Sequence, residues 1–178
     1  MKQQFYRCPV CGNIIEKMFD SGVTPEWCGQ PMEVLQPNIT DGKHEYHVPV
    51  AEVVSDNKLK VKIGKEPHPM TNEHHIQFIT VETCDSNKRH GNMTAWLKPG
   101  DKPEHTFCVC PKEVVSVFAY CNLHGLWKLD CTKEVPECKN GKESKEESDS
   151  KDAETCATYP AYCGKCPTDP QDMYYSCD

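Results

Sequence analysis

No run in this chain approaches the roughly 20 apolar residues that a membrane-crossing helix needs, so a helical membrane protein is not expected. The opening stretch, Met1 to Cys8, lacks the apolar segment of a secretory leader, and a cytoplasmic location is the expectation. A basic face is missing too. Residues 1–130 carry 14 Lys and Arg against 16 Asp and Glu, a net of −2, and residues 131–178 carry 6 against 11, a net of −5. The formal charge of −7 therefore sits mainly at the C-terminal end, and a nucleic-acid partner, which would call for a basic stripe, is not expected. Sustained helical periodicity is also absent. What the chain has in excess is cysteine, 13 in all. In a reducing compartment, cysteine pairs at short spacing are more often metal ligands or redox thiols than disulfides.

Three zones differ in texture, and 178 residues suffice for one ordinary core plus a small accessory module. Residues 1–37 hold Cys8-Pro9-Val10-Cys11-Gly12 and Trp27-Cys28-Gly29-Gln30-Pro31-Met32, which read as short hairpins with cysteine-bearing turns. Residues 38–130 read as an all-β domain. Lys58 to Gly64 alternates, placing Leu59, Val61 and Ile63 inward and three lysines outward. Tyr46–Val54, Ile76–Glu82, Thr106–Val109 and Val114–Cys121 are further strand candidates, rich in β-branched and aromatic residues. Asp56-Asn57 and Lys98-Pro99-Gly100-Asp101 supply turns, and the whole favours a sandwich. Residues 131–178 form an acidic, cysteine-rich tail. Its Lys139–Glu154 stretch is too polar to offset its ordering entropy by burial, so a largely disordered spacer is expected there.

Candidate metal ligands concentrate in the middle zone. His44 and His47, His68 and His74, and Cys121 with His124 three residues on combine imidazole with thiolate, a set that suits iron or zinc. A C-x-x-H step on a tight loop lets both side chains reach one ion, and Pro69 stiffens the loop presenting His68. Spacing alone leaves open whether these residues converge and which metal they take.

Four motifs go further: Glu45-Tyr46-His47-Val48-Pro49-Val50, then Gly64 to Ile76 with its Pro67-His68-Pro69-Met70-Thr71-Asn72-Glu73-His74, then Leu97-Lys98-Pro99-Gly100-Asp101, then Tyr120 to Lys128 with its Cys121-Asn122-Leu123-His124. In this order they resemble the desulfoferrodoxin (superoxide reductase) family, and Cys8-x-x-Cys11-Gly12-Asn13 with Cys28-Gly29-x-Pro31-Met32 extends the resemblance to its desulforedoxin-like N-terminal module. The resemblance implies an immunoglobulin-like β-sandwich holding one non-haem iron, with equatorial nitrogens from His47, His68, His74 and His124 and an axial thiolate from Cys121. It implies reduction of superoxide to hydrogen peroxide, with an external donor such as rubredoxin restoring the ferrous state. Backbone N–H groups near Leu123 and His124 are expected to face the Cys121 sulfur. His75 falls where the family has an aromatic residue and is left out of the ligand set. His44, His90 and His105 are expected to be solvated, the last two in loops, and Cys84, Cys108 and Cys110 to be packing residues.

Two departures from the family pattern stand out. The usual Glu-Lys-His is here Glu45-Tyr46-His47, which keeps the carboxylate able to cover the open coordination position but loses the lysine that would steer superoxide. In the N-terminal module Trp27 replaces one of four thiolates, leaving Cys8, Cys11 and Cys28 for a second iron or zinc. Completion by another ligand and survival as a metal-free dimerisation element, giving a homodimer, both remain open. A non-catalytic iron electron carrier and a zinc-stabilised binding module are the other readings of the chain.

Overall fold

Only short strands fit between the closely spaced turns of the N-terminal zone. The structure, a computed structural model, describes residues 4–40 and 44–131. Strand β1 (Gln4–Arg7) lies antiparallel between β2 (Ile14–Lys17) and a two-residue strand at Glu33–Val34. Between them, β3 (Glu26–Trp27) and β4 (Gln30–Pro31) form a hairpin that turns on Cys28-Gly29; the strand at Glu33–Val34 is β5. Both turn residues have positive φ, 52° at Cys28 and 73° at Gly29, the mirror-image turn whose twist matches the flanking strands.

After a helical turn, α1 (His44–His47), come β6 (Pro49–Ser55), β7 (Lys58–Ile63), β8 (Ile76–Cys84), β9 (His90–Trp96), β10 (Glu104–Phe107), β11 (Val114–Cys121) and β12 (Gly125–Asp130). They form two antiparallel sheets of three and four strands, ordered β10-β7-β6 and β12-β11-β8-β9. This is the expected all-β, immunoglobulin-like sandwich.

The alternation in β7 buries Leu59, Val61 and Ile63 against Ile76, Ile79, Val81, Val117, Ala119 and Trp127 of the facing sheet. Strand β11 shows no alternation because both its faces are covered. Val117, Ala119 and Cys121 face the inner core, while Phe118 and Tyr120 join Phe78, Leu126 and the N-terminal Phe5 in a second cluster. The Phe5 ring lies 5.8 Å from that of Phe78 and 5.3 Å from that of Phe118, pairs that add ~0.5–1.5 kcal/mol each beyond the area they bury. Asn38 extends this docking: its side chain exchanges hydrogen bonds with the backbone of Lys128 at 2.8 and 3.1 Å.

Several expectations are corrected. Tyr46 and His47 are not in a strand; Val48 N–H donates to the His44 carbonyl at 3.0 Å, closing a helical turn, and β6 begins only at Pro49. His90 and His105 lie in strands β9 and β10, not in loops, and His105 is half-buried against Phe107. Cys131 is only 2% exposed and belongs to the sandwich core. The spacer and thiol-bearing end expected after it fall on residues 132–178, outside the described residues.

Candidate metal centre

Three separate pieces of backbone carry the candidate ligands. His47 ends α1, His68 and His74 lie on the β7–β8 connection, and Cys121 and His124 flank the β11–β12 turn. Their ligand atoms all lie within 4.8 Å of one another. The imidazoles form a closed cycle, His47–His68–His74–His124, with neighbouring ring centroids at 4.7, 4.5, 4.8 and 4.6 Å and inclined at 72–79°. The His47–His74 diagonal is 5.9 Å. The geometry is a square of rings, and the Cys121 sulfur lies 3.6 Å from Nδ1 of His124.

The nitrogens that face the centre are not all alike. Nδ1 of His124 sits 2.9 Å from Nε2 of His47 and 3.1 Å from Nε2 of His74. His68 donates its Nδ1 proton to the Pro69 carbonyl at 2.6 Å, because a carbonyl can only accept. That fixes the tautomer and leaves a lone pair on Nε2, which is buried without a hydrogen-bond partner. A buried acceptor left so costs ~1–3 kcal/mol, a penalty that a metal ion would remove.

Electrostatics keep His68 and His74 in the form that binds metal. Burial pushes the His68 imidazole down to about 4, helped by the facing rings of His47, His74 and His124 and opposed by the Pro69 carbonyl. His74 is lowered by burial first, then by His124, His47 and His75. Neutral imidazoles are the state that ligates. Burial raises the Cys121 thiol, while backbone N–H groups of His124 and Leu123 pull it back; the donors expected around this sulfur are in place. Three nitrogens presented by Nε2, one by Nδ1 and a sulfur together fit a borderline transition-metal ion such as iron.

Residues that the sequence reading did not single out hold the ligands in register. Asn122 accepts from His75 N–H at 2.9 Å, donates its amide to the Glu73 carbonyl at 2.9 Å, and donates its own N–H to the His75 carbonyl at 3.2 Å. It thereby ties the loop bearing His74 to the turn bearing Cys121 and His124. The Asn122→Ala protein is expected to lose iron to a chelator about 10–100-fold more readily, measured by competition at fixed pH. The Trp127 indole stacks on His47 at 4.7 Å and 22°, with the exposed His44 edge-on to it at 5.1 Å. Gly64, Lys65 and Glu66 donate backbone hydrogen bonds to the Val48 and Glu45 carbonyls at 3.1, 2.7 and 3.3 Å, seating α1. Motif position was the only available sign for Asn122 and Trp127, and a glycine ending the β7 alternation for Gly64.

The Glu45 carboxylate is not among the converging ligand atoms. Glu45 is exposed and, with His44, Val48, Lys65 and Leu129, lines a cavity of about 550 Å³; Tyr46 is half-buried. His75 is not among the converging residues, and its Nδ1 is buried without a hydrogen-bond partner. Cys84 and Cys110 are half-buried, at a strand end and before a short 3₁₀ turn.

A second convergence lies in the N-terminal module, where the sulfurs of Cys8, Cys11 and Cys28 also lie within 4.8 Å of one another. Cys8 N–H donates to the Asn13 carbonyl at 2.8 Å and Gly12 N–H to the Cys8 carbonyl at 3.0 Å, curling the chain around the Cys8 sulfur. Burial pushes the Cys8 thiol up, but the N–H groups of Cys11 and Val10 and the neighbouring thiols outweigh it and bring it below its usual value. Cys28 is pushed up to about 11, first by its hydrogen bond with Cys11 and then by burial and Cys8. Among the described residues no fourth ligand joins the three, so a closed four-thiolate site does not fit here.

The sandwich, its histidine square and its cysteine turn coincide with a known family. The desulfoferrodoxin family profile matches residues 39–130. A desulfoferrodoxin homolog of Archaeoglobus fulgidus is 43% identical over 125 residues, spanning 70% of this chain and 94% of the relative. The desulfoferrodoxin of Nitratidesulfovibrio vulgaris is 39% identical over 127 residues, spanning 71% of this chain and 95% of the relative. The crystal structure of the superoxide reductase from Treponema pallidum aligns at 26% identity with a TM-score of 0.59, covering 73% of this chain and 100% of that one. Both sequence relatives are matched over nearly their whole length, and the matched profile begins before His47 and ends after His124. The chain belongs to the desulfoferrodoxin family.

Proposed function

We propose that the protein is a superoxide reductase, in which His47, His68, His74, His124 and Cys121 hold one non-haem iron. The observation that carries this reading is the buried, unpartnered Nε2 of His68 in a ring of imidazoles with the Cys121 sulfur beside it. When bound, iron supplies the electron that superoxide takes up. The overall change is one electron and two protons added to superoxide, giving hydrogen peroxide with the O–O bond intact and no oxygen released.

The chain's own groups divide the remaining work. Four imidazoles leave the centre cationic and attractive to a small anion, and the Cys121 thiolate, steadied by the N–H groups of Leu123 and His124, donates electron density to favour the oxidised product. Glu45, exposed on α1, is assigned to cover the open side in the oxidised resting protein. Tyr46 offers a hydroxyl as hydrogen-bond donor but no positive charge. A small external one-electron carrier such as a rubredoxin is the partner that restores the reduced state.

The test is direct. Iron-loaded protein oxidised with a mild oxidant should show a thiolate-to-ferric charge-transfer band, and it should consume superoxide without evolving oxygen. Cys121→Ser should lose the band and most of the rate. A colourless protein inert to superoxide would sink the reading in favour of a zinc-stabilised module, and a coloured but inert one would favour an electron carrier. The missing lysine gives a second measurement: Tyr46→Lys is expected to raise the second-order rate with superoxide severalfold at low ionic strength, with the gain fading as salt is added. Pulse radiolysis across a salt series checks it.

A further inference from the structure

The cluster of Cys8, Cys11 and Cys28 plays no part in the chemistry proposed above. Its backbone is nonetheless built to gather sulfur. The chain curls around Cys8, and the mirror-image turn at Cys28-Gly29 returns the third sulfur to the same point. A non-glycine residue at φ 52° is uncommon, and here it directs a thiol toward two others. Cys8 is fully buried, whereas Cys11 and Cys28 are exposed, so one side of the cluster is covered by no sulfur among the described residues. At position 27, where the family pattern has the remaining thiolate, the Trp27 side chain is 44% exposed and only its backbone carbonyl approaches, 3.7 Å from the Cys8 sulfur.

From this geometry we infer that the N-terminal module is an open three-thiolate site for a thiophilic divalent cation of the zinc class, whose fourth ligand is exchangeable and comes from solution. Thiolates select such cations, and three protein ligands with one free position make a site that exchanges a ligand, in contrast to a closed structural one. The module would bind small external thiols or other soft anions through the metal. It would not serve as a fixed electron relay, because its coordination changes with what the solution offers.

Cadmium is the probe, bound to the full-length chain with iron already in the sandwich and followed by cadmium NMR, in which each bound ion gives its own resonance. The signal of this site is the one lost in Cys28→Ser, a change at an exposed position, with the fold checked by the sandwich's unchanged iron content. It should lie where three sulfurs and one lighter donor place it. It should move toward the four-sulfur position when β-mercaptoethanol is added. Trp27→Cys should show the four-sulfur position without added thiol, no response to β-mercaptoethanol, and loss of metal to a chelator slowed by more than the roughly 10–100-fold that outer-shell partners are worth. Four sulfurs in the unmodified chain without added thiol would overturn the inference, whether the fourth came from this chain or from a second copy. So would the absence of any resonance that Cys28→Ser removes.

Discussion

Gly64→Ala is expected to yield protein with little or no iron and a clearly lowered urea midpoint, although residue 64 is not itself a ligand. Gly64 has φ 82°, and a methyl group there would sit 2.4 Å from the Glu66 carbonyl oxygen and 2.6 Å from that of Tyr46. Both obstacles are backbone, so no side chain can swing aside. The left-handed conformation costs an L-residue ~1–2 kcal/mol, and crowding into packed structure adds ~1–3 kcal/mol. The cheapest relief is to lift α1 away from the 64–66 loop, which breaks the hydrogen bonds from Gly64, Lys65 and Glu66 and carries His47 with it. Gly100→Ala is the control. Gly100 has φ 89° but nothing within 4 Å of the added carbon, so it should bear the conformational cost alone and keep its iron. Iron per chain and denaturant midpoints of both variants decide the matter; equal iron contents would refute the coupling of Gly64 to His47.

Trp127→Ala should produce the largest loss of stability of any single change near the site. The indole is fully buried and reaches both the sandwich core and the face of His47. Removing a buried aromatic ring typically costs ~3–5 kcal/mol, and here it also frees the His47 imidazole to tilt. Trp127→Phe should be much milder. It keeps an aromatic face for His47 and deletes an indole N–H that is buried without a hydrogen-bond partner, which relieves a cost of ~1–3 kcal/mol and offsets part of the lost packing. Urea unfolding of the iron-loaded proteins gives the stabilities. The charge-transfer band reports the ligand set separately: it should shift or broaden in Trp127→Ala and stay close to the parent in Trp127→Phe. An unchanged band in Trp127→Ala would mean that the indole supports the core but does not orient His47.

These residues also mark where reading the sequence succeeds and where it stops. The turn at Cys121 and His124 is legible because two chemically distinctive side chains stand three residues apart. The alternation of β7 is legible because one face of it meets the core and the other meets water. The helical turn at α1 is not. Tyr46–Val54 is rich in β-forming residues, and what overrides that preference is a tertiary seat on the 64–66 loop, far away in sequence. Strand β9 is hidden for the opposite reason: His90, Gly91 and Asn92 are poor strand formers, held in place by continuous pairing with β8 from Phe78 to Cys84. Which ring nitrogen faces the centre depends on the hydrogen bond made by the other one, as His68 shows with Pro69. No spacing rule encodes that.

The aromatic contact between Phe5 and the outer face of the four-stranded sheet bears on how the molecule can be cut. Phe78, Phe118, Tyr120 and Leu126 form one buried cluster with Phe5. A protein beginning at residue 38 would therefore present a contiguous oily patch to water, and its solubility would suffer before its iron chemistry did. For the same reason the two modules should melt in a single transition, since neither can open without wetting the other's ring stack. Polar replacements at Phe78 and Phe118 are the changes that would let the sandwich live alone.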